Sequence, residues 1–126
     1  MNDVVLDASA VLALLNREPG AEAVEGALGR ASMSAVNAAE VLSKLVDAGL
    51  ELARAREAFA LLGVSVVPFD ATDAEVVASL RPVTKSRGLS LGDRACLALG
   101  RRFDAVVLTA DRSWAELGIG RVETIR

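Results

Sequence analysis

The sequence predicts a single α/β domain in which a short parallel sheet of about five strands is covered by helices on both faces. Short apolar runs alternate with longer helical stretches along the whole chain. The runs are nearly all apolar rather than alternating in polarity, as expected of strands buried on both sides. At 126 residues, the chain has the length of one domain and can bury roughly two-thirds of its unfolded surface.

Taken in order, Val4 to Leu6 is a buried strand. Ser9 to Asn16 is helical, with Val11, Leu12, Leu14 and Leu15 apolar, and Glu18-Pro19-Gly20 breaks it. Ala21 to Gly29 forms a second short helix with Val24 and Leu28 on one face. Ala31 to Met33 is a strand, and Ser34 can cap the helix that follows. That helix runs to about Ala48 and stops at Gly49, with Val41, Leu42, Leu45 and Val46 as its apolar stripe. Leu50 to Leu62 is helical and closed by Gly63; Val64 to Val67 is a strand with Pro68 at its end. Asp70 begins a helix expected to reach Arg87, where Gly88 ends it. Ser90 caps a helix to Arg102, Ala105 to Leu108 is a strand, and a turn at Ser113 to Glu116 leads to a last strand at Val122 to Ile125.

Composition narrows the chemistry. Hydrophobic residues make up 52% but aromatics only 3%, so the core is built from Ala, Val and Leu. The formal charge is −3, which argues against nucleic-acid binding through bulk electrostatics. There is no histidine, so a Ser-His-Asp triad, a His general base and a histidine-ligated zinc are excluded. Cys96 is the only cysteine, which excludes an intramolecular disulfide, and its apolar surroundings mark it as a small buried residue. The apolar run Ala10 to Leu15 follows Asp3 and Asp7 rather than Lys or Arg, unlike a signal peptide. No run approaches the ~20 apolar residues of a membrane span, and the chain reads as soluble and cytoplasmic.

Four carboxylates fall where such a sheet gathers its ligands. Asp7 ends the first strand and Asp111 follows a later one, while Glu40 and Asp93 lie in the first two turns of helices. Open parallel sheets bind ligands beyond the carboxyl ends of their strands, at a topological switch point. Four acids gathered there would repel one another, and a divalent cation relieves that repulsion. All-oxygen donors suit Mg²⁺ or Mn²⁺. Each acid also has a plainer reading: Asp7 and Asp111 fit helix N-caps, Asp93 stands three residues after Ser90 as in a capping box, and Glu40 fits a solvated helix face. Asn37 shares a helix face with Glu40, while Ser9 and Thr109 put hydroxyls beside Asp7 and Asp111. Glu18, Glu22, Glu25, Glu51, Glu57, Glu75, Glu116 and Glu123 read as solvated.

The motifs Val5-Leu6-Asp7-Ala8-Ser9, Ser34-x-x-Asn37-x-x-Glu40, Leu89-Ser90-Leu91-Gly92-Asp93-Arg94-Ala95-Cys96 and Leu108-Thr109-Ala110-Asp111-Arg112-x-Trp114 together resemble a PIN-domain ribonuclease. The match is nearest to VapC-type toxins of toxin–antitoxin pairs and covers the chain as one domain, 1–126. The resemblance implies that Asp7, Glu40 and Asp93 are metal-binding catalytic residues, that Asp111 completes the acidic site, and that Ser9, Asn37 and Thr109 support it. It implies hydrolysis of RNA phosphodiesters with one or two Mg²⁺ or Mn²⁺ ions, leaving a 5′-phosphate and a 3′-hydroxyl. In that scheme Asp7 and Asp93 are direct ligands, Glu40 binds directly or through water, and Asp111 holds a metal-bound water or the second ion. A homodimer and a cognate antitoxin are also implied, the antitoxin running over helices of the chain and placing a basic residue in or near the acidic site. The apolar helices near Ala10 to Leu15 and Leu50 to Leu62 could supply its contacts, although core burial explains the same stripes equally well.

Lys85, Arg87, Arg94 and Arg112 flank these motifs and are candidates for RNA phosphate contacts, though a helix-end or solvated charge is the plainer reading of each. Trp114 is expected to be partly buried rather than stacked on a base. Two rival phosphoryl-transfer folds fail on particular residues: a receiver domain needs a lysine beyond Lys85, and a haloacid-dehalogenase-like phosphatase needs an acid where Ser9 stands. The alternative from another class is a non-catalytic module whose acidic pocket docks a basic peptide.

Overall fold

The structure is a computed structural model describing residues 2–126. Its strands are β1 (Val4–Leu6), β2 (Ala31–Ser34), β3 (Ser65–Val67), β4 (Val106–Thr109) and β5 (Arg121–Thr124). Its helices are α1 (Ala8–Leu15), α2 (Ala21–Ala27), α3 (Ala35–Asp47), α4 (Leu52–Ala60), α5 (Ala71–Ser79), α6 (Arg81–Thr84) and α7 (Leu91–Phe103). Short 3-10 turns follow α2, α6 and β4. Every strand pairing is parallel, and the sheet order is β3-β2-β1-β4-β5. The chain therefore builds outward from β1 in one direction, then crosses back to continue on its other side. The switch point lies between β1 and β4.

Successive side chains of a strand point to opposite faces, and the two cores follow from that alternation. Val4 and Leu6 pack with Val11 of α1, Val24 of α2 and Val41 of α3, together with Met33. Val5 joins Cys96, Leu97 and Leu99 of α7, with Val107 and Trp114, on the other face. Helices α1 to α4 thus cover one side and α5 to α7 the other. Each fully buried Val or Leu contributes about 1.5–3 kcal/mol through removal of its surface from water. At Gly100 an added Cβ would strike the Val107 side chain, so this glycine lets α7 lie close on β4. No helix among the described residues is long and apolar enough to cross a membrane.

One element departs from expectation. The helix anticipated from Asp70 to Arg87 is three pieces: α5 ends at Ser79, α6 spans Arg81–Thr84, and Lys85–Arg87 forms a 3-10 turn. Pro82 explains the break, because it has no N–H to continue the ladder and its ring crowds the carbonyl four residues earlier. Across α6 the Leu80 carbonyl accepts from both the Thr84 N–H at 3.1 Å and the Thr84 hydroxyl at 2.8 Å. Elsewhere the differences are of a residue or two at element ends, as at α4, which starts at Leu52 after Glu51 in the cap position.

Candidate functional site

Asp7 leaves β1 and caps α1, its backbone extended at φ −86° and ψ 174°. Its Oδ1 accepts from the Ala10 amide at 2.8 Å, and its Oδ2 accepts from the Thr109 hydroxyl at 2.6 Å. The Ser9 hydroxyl lies 2.8 and 2.9 Å from the two oxygens. Both hydroxyls are themselves oriented by amides of the turn after β4: Ala110 N–H donates to Ser9 Oγ at 2.9 Å and Asp111 N–H to Thr109 Oγ1 at 3.0 Å. Amide, hydroxyl and carboxylate form two short relays whose members polarise one another. Pairing of Leu6 with Leu108 in the β1–β4 ladder brings these distant segments together. The sequence placed Thr109 beside Asp111; in the fold it serves Asp7 as well.

Asp7 is 5% exposed. Burial pushes its carboxyl up from the ordinary 3.8 to about 6, against the lowering effect of the bonds from Thr109, Ala10 and Ser9, and the nearby charge of Asp93 adds to the rise. The Cys96 thiol beneath is raised well above its usual range, first by burial and then by Asp7, Asp93 and Glu40. It is an inert core group, as its sequence context suggests.

The remaining acids arrive from three elements. Asp93 sits in the first turn of α7 in a full capping box, its Oδ2 accepting from Ser90 N–H at 2.9 Å while Ser90 Oγ accepts from Asp93 N–H at 3.1 Å. Glu40 lies in the second turn of α3, its Oε1 accepting from Asn37 Nδ2 at 2.9 Å. Asn37 is buried, and its Nδ2 also donates to the Gly92 carbonyl at 3.0 Å, tying α3 to α7. Asp111 caps the turn after β4, its Oδ1 accepting from Ser113 N–H at 2.9 Å and Ser113 Oγ at 2.7 Å.

All four acids line one cleft of about 250 Å³, with Ser9, Asn37, Leu12, Lys44 and Trp114 also in its wall. It opens at the carboxyl edge of the sheet, at the switch point, where ligands bind in such sheets. A roomier hollow of about 750 Å³ lies at the amino edge, lined by Asn2, Asp3, Ser32, Ser65, Phe103 and Asp104, and gathers none of these groups. Among the described residues no three acids close up into a ready ligand cage. The donors are all oxygens, the cluster is acidic, and its deepest member is held protonated to unusually high pH. Those features fit a hard divalent ion bound through one or two carboxylates and completed by water.

The PIN-domain family profile matches residues 4–120. The chain belongs to the PIN-domain family. PIN domains are generally nucleases that use divalent metals. No curated protein matches the chain significantly. Among solved structures, it is similar to a DNA-bound VapBC complex from Salmonella typhimurium, with TM-score 0.76 and 16% identity over 100% of both chains. It is similar too to a toxin–antitoxin complex from Klebsiella pneumoniae, with TM-score 0.74 and 20% identity over 98% of both chains. A third similar structure is FitAcB from Neisseria gonorrhoeae, with TM-score 0.70 and 20% identity over 97% of each chain.

Within this PIN domain, the four flanking cations lie outside the cleft wall. Arg94 turns toward α5, its Nη1 donating to the Val77 carbonyl at 3.2 Å. Arg87 pairs with Glu116 at 3.2 Å, Arg112 Nε donates to the Arg126 carbonyl at 2.9 Å, and Lys85 is exposed on the 3-10 turn after α6. The cation in the wall is Lys44, one helical turn beyond Glu40. Its i, i+4 spacing from Glu40 was the signal available in the sequence. Trp114 is 1% exposed and belongs to the core beneath β4, so it is buried more deeply than expected and offers no face to a base.

Proposed function

We propose that this PIN domain is a Mg²⁺- or Mn²⁺-dependent endoribonuclease of the VapC toxin type, neutralised by a cognate antitoxin. The observation that carries the reading is the convergence of Asp7, Glu40, Asp93 and Asp111 on one cleft at the switch point, with Asp7 buried. The similarity to solved toxin–antitoxin complexes supports the toxin and antitoxin assignment. A bound divalent ion would supply Lewis acidity to the phosphodiester and lower the pKa of the attacking water.

The residues divide the remaining work. Asp7 and Asp93 are the proposed direct ligands, Asp7 held rigidly by Ala10, Thr109 and Ser9, and Asp93 with Oδ2 fixed by Ser90. Glu40, aligned by Asn37, completes the anionic wall, and exposed Asp111 holds water or a second ion at the rim. Ser9 and Thr109 keep the Asp7 carboxylate from rotating. Lys44 is placed to meet a substrate phosphate as the strand enters. An antitoxin supplying a basic side chain would compete for the same acids, and the chain would act as a homodimer.

The test is cleavage of total cellular RNA by the purified, antitoxin-free protein and its Asp93→Asn variant, with Mg²⁺, with Mn²⁺ and with EDTA. Discrete cuts that need both metal and Asp93, leaving 5′-phosphates, are expected. Cleavage insensitive to EDTA, or none at all from folded protein, would refute the reading; in the second case the cleft is left as a dock for a basic peptide.

A further inference from the structure

Gly92 occupies the second position of α7 with no positive φ to require a glycine. In an ordinary helix that residue is the poorest choice after proline, so its presence asks for a reason in space rather than in backbone conformation. A Cβ built on Gly92 would overlap the Glu40 Oε1 and stand 2.6 Å from both its Cδ and its Oε2. The Glu40 carboxylate therefore rests in the gap left by the missing side chain. On its other side the Asn37 amide donates to Oε1, and the same amide donates to the Gly92 carbonyl. Both Asn37 bonds require its NH₂ group, which fixes the amide's orientation and leaves its Oδ1 buried without a partner.

We propose that Gly92 is a positioning residue: its bare Cα and its carbonyl, joined through Asn37, hold the Glu40 carboxylate in the acidic cleft. The value of that placement for metal binding rests on the proposed metal-site reading. The atoms that a Cβ would meet are the far end of a flexible side chain. A larger residue at 92 would therefore displace Glu40 and leave the helix intact.

Gly92→Ala, Glu40→Gln and the double variant test this in the full chain. Three quantities are measured: the Asn37 side-chain amide resonances in metal-free protein, the Mn²⁺ dissociation constant by calorimetry, and the thermal midpoint. Gly92→Ala is expected to move the Asn37 resonances, to weaken Mn²⁺ binding about tenfold or more, and to melt no lower than wild type. In the Glu40→Gln background the same substitution should change Mn²⁺ affinity no further. Unmoved Asn37 resonances, or losses that add fully in the double variant, would overturn the inference. Wild-type protein that binds no Mn²⁺ would sink the metal reading alone, since the Asn37 resonances still decide whether Gly92 positions Glu40.

Discussion

Replacing Asp7 by Asn separates the cost of burying a charged carboxylate from the helix cap that the same residue provides. Asn caps as well as Asp, its oxygen can accept from Ala10 N–H, and the Ser9 and Thr109 hydroxyls can rotate to receive its amide. What disappears is the charge. In the folded protein the Asp7 carboxyl is raised from 3.8 to about 6, so between those values the native state binds more protons than the unfolded chain. The contribution of Asp7 to the stability of the metal-free protein must then fall as pH rises through that window and level off above it. At about 1.4 kcal/mol per pH unit the full cost is about 3 kcal/mol. In EDTA, Asp7→Asn should therefore gain about 3 kcal/mol on wild type between pH 3.5 and pH 7.5, a relative shift in midpoint on the order of 10 °C for a domain of this size. Urea or thermal melts of both proteins across that range measure it. Mn²⁺ at pH 7.5 should raise the wild-type midpoint and leave the variant nearly unchanged. A stability difference that stays constant with pH would refute the assignment of a buried, strained charge to Asp7.

Two further substitutions probe the walls of the cleft. Thr109→Val keeps the shape but removes the donor to Asp7 and the acceptor for Asp111 N–H; it should cost about 2 kcal/mol at pH 7.5 and less at pH 4, where Asp7 is protonated, by urea melts at the two pH values. Lys44→Ala should leave stability within about 0.5 kcal/mol, because the side chain is exposed. In a cleavage-dead Asp93→Asn background it should weaken RNA binding and reduce the salt slope of log K by about 0.7 to 1, read by fluorescence anisotropy; an unchanged slope removes Lys44 from the substrate path.

Much of the architecture was legible because local signals agreed with one another. Short apolar runs between helices pointed to a parallel sheet, and Ser34, Ser90 and Gly49 marked helix ends that the structure reproduces, while Gly88 closes only a 3-10 turn. Pro82 was an equally local signal, and it broke the helix that the apolar pattern carried through. Other features depend on which strands lie side by side. Ser9 and Thr109 meet at 3.4 Å across a hundred positions of sequence only because β4 pairs with β1. The same pairing sinks Trp114 into the core, and the packing of α7 on α5 turns Arg94 toward Val77 instead of the acids. Neither spacing nor composition encodes such directions.

Capping and site-forming readings of the acids, which compete in the sequence, turn out to be one arrangement. Asp7, Asp93 and Asp111 each accept from a backbone N–H at the start of a helix or turn, and each also lines the cleft. Asp93 and Asp111 are each tethered through one oxygen, which limits rotation and leaves the other oxygen's lone pairs available, whereas Asp7 is held through both. The helix start also offers a favourable field for each negative charge. Glu40 lies too deep in α3 for any cap, and it is the acid held instead by a side-chain amide and by the space above a glycine. All four carboxylates are thus oriented by the protein's own groups, and among the described residues no three of them close up into a ligand cage. The cleft is organised but open, which suits an ion that keeps part of its water shell and must leave room for a phosphate.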